Sequence, residues 1–260
     1  MTRPLLEVIA LGVADAVAAE DGGADRVELV TDMDADGLSP EPSVVEEIRR
    51  RTNVPLRVML RLSDTFSATG AEVARLRGLA SSYVAAGADG FVLGFLTGTL
   101  EIDQETTCAL VEEFPDRPWT FHRAVDHALE TDRAWQDLRR LPGLTHVLTA
   151  GSPRGVEAGL DDLTRRAKSD PFATDRIMAG GGLRADHVPW LAQAGIRAFH
   201  VGTAVRPDRS WKAYADASYV RAWRTLVDDE VARALDLLSS GTAKETARET
   251  AKESGSVPEL

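Results

Sequence analysis

The sequence predicts a single-domain α/β fold, a TIM-like (β/α)8 barrel, and three observations carry that prediction. Eight short apolar runs alternate with helix-like stretches along 260 residues, the order expected of βα units. About 250 residues is the usual size of such a barrel. No GxGxxG follows the first run, so the competing arrangement, a doubly wound open sheet, lacks its main signature.

The runs that read as strands are LLEVIAL (5–11), DRVELV (25–30), PLRVML (55–60), GFVLGFL (90–96), PWTFHRA (118–124), THVLTA (145–150), RIMAGG (176–181) and AFHVGTA (198–204). Stretches such as EPSVVEEIRRR, AEVARLRGLASSYVAAG and ADHVPWLAQAG read as the helices between them. GGAD, AGAD and AGIR fall where a glycine ends a helix and hands the chain to the next strand. SYVRAWRTLVDDEVARALDLL (218–238) is the last helix. The barrel is therefore expected to occupy residues 1–238. Residues 239–260, polar and with almost no apolar side chain larger than Ala, read as a disordered C-terminal tail, and their TAKE and TARE pieces as low complexity.

Composition narrows the function. A net charge of −11 leaves no basic stripe for a phosphate backbone, so nucleic acid is excluded as a partner and a small molecule, metal or protein is expected. The single cysteine, Cys108, permits neither an intrachain disulfide nor a cysteine metal cluster. Glu7 and Asp15 interrupt the apolar N-terminal stretch, and no run has the length of a membrane span. The expected location is cytoplasmic.

In a barrel, chemistry gathers at the C-terminal ends of the strands, and strand side chains alternate in direction. Glu7 and Glu28 sit inside apolar strands, Arg61 ends the third, His122 lies late in the fifth and His200 lies in the eighth. Any one of them is as readily a salt-bridged or hydrogen-bonded core residue. Together they point to a site, because barrel interiors are normally filled by Val, Ile and Leu and lone buried charges are costly. His122 is the candidate acid or base, with Glu7 and Glu28 as tuning carboxylates and Arg61 as an anion clamp. Arg123 has the opposite parity and could simply face a helix, whereas Asp126 follows three residues on.

Gly180, Gly181 and Gly182 after the seventh strand, with Gly202 and Thr203 after the eighth, could offer backbone N–H groups to a phosphate. The same glycines would equally serve a turn that needs unusual backbone angles. Weaker signals read as structural: Ser39 or Ser43 as a helix cap, Cys108 as a helix residue, Trp119, Trp190, Trp211 and Trp223 as packing, and His127, His146 and His187 as loop, early-strand or helix-start residues.

Over about residues 4–205 the chain resembles the CutC copper homeostasis family. The resemblance rests on LEV at 6–8, GADRVELV at 23–30, GLSPEPS at 37–43, PLRVMLR at 55–61, GADGFVLGFLTGTLEID at 87–103, TFHRAVD at 120–126, HVLTAG at 146–151, IMAGGG at 177–182 and FHVGTA at 199–204. It implies a TIM-like fold, with His122, Arg123 and Asp126 inside the fifth-strand signature, and it suggests copper as a ligand. Two departures weigh against a thiolate copper site. Where family members usually carry a cysteine after the second strand this chain has Val30, and the expected Arg-Pro-Arg pattern after Arg61 reads RLSDTF. Cu(I) prefers soft sulfur ligands. The expected function is accordingly a small anionic ligand site or a small-molecule enzyme at the barrel mouth. A copper-binding protein without catalysis and a homo-oligomeric assembly module, using outer helices around Trp211–Trp223, are the alternatives, and the cofactor stays open.

Overall fold

The computed structural model describes the backbone of residues 3–254 and the side chains of residues 3–240. Eight parallel strands close into a barrel in sequence order. They are β1 (Leu5–Ala10), β2 (Arg26–Leu29), β3 (Leu56–Met59), β4 (Gly90–Leu93), β5 (Trp119–Phe121), β6 (Leu144–Thr149), β7 (Ile177–Ala179) and β8 (Ala198–Val201), with β8 pairing back to β1. The helices outside are α1 (Val13–Asp21), α2 (Pro42–Arg51), α3 (Gly70–Ala86), α4 (Gln104–Val111), α5 (Thr131–Leu138), α6 (Val156–Ser169), α7 (Pro171–Arg176), α8 (Val188–Gln193) and α9 (Ala217–Ser254). The TIM-like barrel is thus the observed fold.

Alternation along each strand divides the chain between two interiors. Outward residues such as Leu6, Val8, Val27, Leu29, Leu56 and Val58 join the helices in one large apolar core. Their fully buried aliphatic surface supplies about 1.5–3 kcal/mol per side chain and is the main force closing the barrel. Inward residues form two much smaller apolar clusters. One is Ile9, Val30, Met59 and Val92; the other is Leu148, Met178 and Ala198. Between them the barrel is filled with charge.

The strands are shorter than the apolar runs, and β5 shows why. The chain leaves the ladder at His122, whose ring nitrogen Nδ1 accepts the Ala124 N–H at 3.1 Å and caps a 3-10 turn over Arg123–His127. The side chain thus competes with the ladder for the backbone. Gly87 and Gly195 do end helical segments, at φ of 99° and 100°, angles that a Cβ makes unfavourable. Neither Ser39 nor Ser43 caps α2. Glu41 occupies that position with Pro42 following, while the Ser39 hydroxyl donates to the Met59 carbonyl and accepts the Arg61 N–H.

α7 was not foreseen; Asp170 starts it by accepting the Phe172 N–H. The last helix does not stop at Leu238 but continues through Ser254, so a tail beginning at 239 starts in helical backbone. Residues 255–260 of that predicted tail lie outside the described residues. Trp211 is also misplaced by the sequence reading. It sits in the loop after β8, over the barrel mouth and against the cluster containing Ile9 and Met59, not on an outer helix. Trp190 does not pack, being 62% exposed.

Candidate functional site

The register places the polar residues in the interior. Glu7 pairs across with Arg26 on one side and His200 on the other, and Glu28 pairs with Arg57. The Arg26 guanidinium donates to Glu7, and its second arm points to the Met178 sulfur at 3.3 Å. Arg57 donates to the Thr120 hydroxyl and, at 2.7 Å, to that of Thr145. Both threonines reach it because the β5–β6 register slips by one residue at Trp119/Thr120. His200 bridges the two carboxylates, with Nδ1 2.8 Å from Glu7 Oε1 and Nε2 3.5 Å from Glu28 Oε2.

Glu7, Glu28 and His200 therefore converge as expected. The sequence reading missed Arg26 and Arg57, although they share the inward parity of Glu28 and Arg61. It also paired the carboxylates with the wrong histidine: they hold His200, not His122.

The environment separates the two glutamates. Burial alone would raise the Glu7 carboxyl, but Arg26, then His200 and Arg57, hold it far below the usual carboxylate range. Glu28 has no direct guanidinium partner among the described residues, and burial pushes it up to about 7, helped by the Glu7 charge. Burial opposes charge on His200 too, yet Glu28 and Glu7 outweigh it and raise its pKa. Arg57 is lowered to about 9 by burial and by Arg26. His146, read as remote from the active end, lies beneath this network and is lowered to about 3, by burial first and then by Arg26 and Arg57.

Above the network a cavity of about 290 Å³ opens at the C-terminal ends of the strands. Its apolar side carries Ile9, Val30, Met59 and Trp211. Its polar side carries Glu28, His122, His200 and Arg123, with the backbone at Gly181–Gly182 and 202–204. Trp211 closes against Gly202, where a Cβ would fall 2.5 Å from the indole. Arg206 fixes that loop, lying 4.9 Å from the Trp211 ring and pairing with buried Asp15 at 2.7 Å.

His122 stands at this mouth, 4% exposed, against the Phe66 ring. Because Nδ1 accepts a backbone N–H, the ring proton sits on Nε2. That Nε2 is buried with no hydrogen-bond partner among the described residues, as is Glu28 Oε1. Burial, reinforced by the Arg61 charge, lowers the His122 pKa to about 3, so the ring is a neutral N–H donor at ordinary pH.

Arg61 reaches the mouth but is largely consumed there. It donates to the carbonyls of Ala35, Gly37, Asp64 and Thr65 and so ties two loops together. One of its five N–H groups is left for an anion.

Arg123 does not face a helix. It donates to Asp126 and to the carbonyls of Ser152 and Pro153 while lying flat on Gly181, where a Cβ would come within 2.7 Å. Asp126 is an organiser: it also accepts from the Thr149 hydroxyl and the Ala150 N–H, and burial raises its pKa. Gly180 makes room for His200 beside Leu148. Gly181 and Gly182, at φ of 91° and 77°, turn their backbone to the cavity opposite Gly202 and Thr203. The N–H groups of Gly181, Gly182, Thr203 and Ala204 find no backbone carbonyl among the described residues. His127 and Phe66 also border the cavity; His127 ends the 3-10 turn after β5 and Phe66 sits on the loop after β3, where no sequence period marks them.

Glu7, Glu28 and His200 present donor atoms within 4.8 Å of one another. They suit a resident copper ion poorly. They are hard oxygen and nitrogen donors, both Glu7 oxygens are already taken, and Arg26 and Arg57 add positive charge beside them. Val30 faces the cavity where the family resemblance leads one to expect a thiol, and Cys108 lies on α4 outside the residues lining it.

A closed parallel barrel with a charged interior and a small cavity at its C-terminal mouth defines a TIM-barrel protein. The chain belongs to the CutC family, whose profile matches residues 5–205. It is 36% identical over 200 residues to a family protein CutC of Xanthomonas campestris pv. campestris (strain 8004), covering 75% of this chain and 81% of that one. It is 32% identical to the Homo sapiens "Copper homeostasis protein cutC homolog", covering 80% and 76% respectively. Among solved structures, the CutC protein of Streptococcus agalactiae superposes with a TM-score of 0.68 at 25% identity, over 76% of this chain and 98% of that one. Among the described residues no helix is long and apolar enough to cross a membrane.

Proposed function

We propose that the barrel mouth binds a small phosphate-bearing metabolite. One observation carries this reading: two side chains more than nine-tenths buried, Glu28 and His122, both line the cavity, and each holds a buried polar atom with no partner among the described residues. An unmet buried donor or acceptor costs about 1–3 kcal/mol, and a ligand spanning both recovers it. The phosphate belongs at the N–H groups of Gly181, Gly182, Thr203 and Ala204, with Arg123 beside them. A cavity near 290 Å³ is at the small end of ligand pockets, roughly 300–1,000 Å³, which favours a compound of few carbons. The copper homeostasis name of the human relative would need soft donors here. The cavity offers the thioethers of Met33 and Met59 and no thiolate.

Calorimetric titration with three- to six-carbon sugar phosphates and their unphosphorylated parents tests the reading. Binding is expected for the phosphorylated compounds alone, weakened at least tenfold by His122→Ala. Failure of every phosphorylated compound to bind contradicts it.

A further inference from the structure

Five buried side-chain atoms lack a partner among the described residues, and only Glu28 Oε1 and His122 Nε2 belong to residues that line the cavity. Their chemistry is complementary. Glu28 presents a carboxyl oxygen, which takes a proton. His122 presents a neutral N–H, fixed as a donor because the Ala124 N–H occupies its other nitrogen. A molecule that satisfies both has an acidic hydrogen on one side and an electron-rich oxygen on the other. Resting on the reading of the mouth as a phosphate-ligand site, we infer that the protein is an enzyme of proton transfer next to a carbonyl group, and that its substrates are phosphorylated α-hydroxy ketones or aldehydes.

The step balances without oxidant or reductant. Glu28 carboxylate removes the proton from the carbon beside the carbonyl, breaking that C–H bond. Its electron pair forms the carbon–carbon double bond of an enediolate, and the carbonyl π pair moves onto oxygen. His122 Nε2–H donates to that oxygen as charge builds, a fixed dipole in a water-poor site. A neutral imidazole suits this better than a cation, which would be lost to Arg61 repulsion and burial. Glu28 then returns the proton to the same carbon or, after the hydroxyl proton has moved, to its neighbour.

His200 is a positioning residue. It sits between Glu28 and Glu7, and Glu7 is anchored to Arg26, so the Glu28 carboxyl is aimed by a chain of buried pairs. Burial brings Glu28 to about 7, where a group both takes and returns protons near neutral pH. The apolar wall of Ile9, Met59 and Trp211 keeps water from quenching the enediolate.

The full chain is incubated in D2O with dihydroxyacetone phosphate and with four- to six-carbon ketose phosphates, and loss of the C–H signal is followed by proton NMR. Calorimetry measures binding of the same compounds in parallel. Deuterium is expected to enter the position next to the carbonyl above the protein-free rate for at least one compound, and Glu28→Gln is expected to slow it at least about 100-fold. Compounds that bind the wild-type chain with no exchange above background overturn this inference and leave the ligand reading intact. No binding of any of them overturns both. Because the wild-type exchange decides the matter, a variant that fails to fold does not obscure it.

Discussion

Replacing Arg26 by methionine is expected to destabilise the fold by about 3–5 kcal/mol, the cost of leaving one member of a buried ion pair without its partner. Glu7 is fully buried and held far below the usual carboxylate range, with Arg26 the strongest of its stabilising neighbours. Methionine keeps most of the length and removes the charge. The Glu7 carboxylate then faces only His200 and the more distant Arg57, and must either stay charged in a dry interior or take up a proton. Glu7→Gln alone is expected to be costly too, since Arg26 and Arg57 would repel each other with less to hold them. The double variant should lose less than the sum of the two, with a coupling of at least about 1 kcal/mol, because contacting charges act as one unit. Urea denaturation of the four proteins measures it. An Arg26→Met chain within 1 kcal/mol of wild type would show that the barrel interior is not held by this pair.

Acid should begin to destabilise the protein as the pH falls below about 6.5, before exposed carboxylates titrate. His122 and His146 are both neutral in the fold, with pKa lowered to about 3 by burial and by nearby arginines: Arg61 and Arg123 for the first, Arg26, Arg57 and Arg176 for the second. In the unfolded chain each takes a proton near 6.5. Their contribution is thus complete above pH 6.5 and lost as the pH falls towards 3, by roughly 5 kcal/mol each at the limit of 1.36 kcal/mol per pH unit.

Glu28 works in the opposite sense. Its pKa near 7, set by burial among His200, Glu7, Arg26 and Arg57, exceeds the ordinary 4.5, so it stabilises the fold below about 4.5 and loses that contribution as pH rises to 7. Between pH 6.5 and 4.5 its gain on acidification partly offsets the histidines; below 4.5 it gains no more, and stability falls steeply. Denaturation midpoints at pH 7, 5.5 and 4 should show a shallow then a steep decline, and Glu28→Gln should make the first part steep as well. A midpoint that is flat or rises from pH 5.5 to 4 would contradict the neutral, buried state of both rings.

The barrel was legible because its signal is periodic. Eight apolar runs and their alternation locate the strands within a few residues and point Glu7, Glu28 and His200 inward together. The same parity applies to Arg26, in register with Glu7, and to Arg57, in register with Glu28, but both sit near strand starts, where a charge reads as an ordinary exit from the core.

The mouth was less legible. Whether Arg61 is free or spent depends on the carbonyls of Ala35, Gly37, Asp64 and Thr65, and the closure of the cavity depends on Trp211 meeting Gly202. Both arise from irregular loops whose course follows tertiary contacts, not local propensity. His122 could be seen as important from its place at the end of an apolar strand. Its role as a neutral donor follows only from the Ala124 N–H folding back onto it.

The most direct test of the mouth as a ligand site is a crystal structure of the chain with saturating dihydroxyacetone phosphate. The phosphate should rest against the N–H groups of Gly181, Gly182, Thr203 and Ala204, with the carbonyl oxygen about 3 Å from His122 Nε2 and the adjacent carbon facing Glu28. A ligand bound elsewhere, or a mouth filled by water or protein with His122 Nε2 bonded to it, would contradict the account.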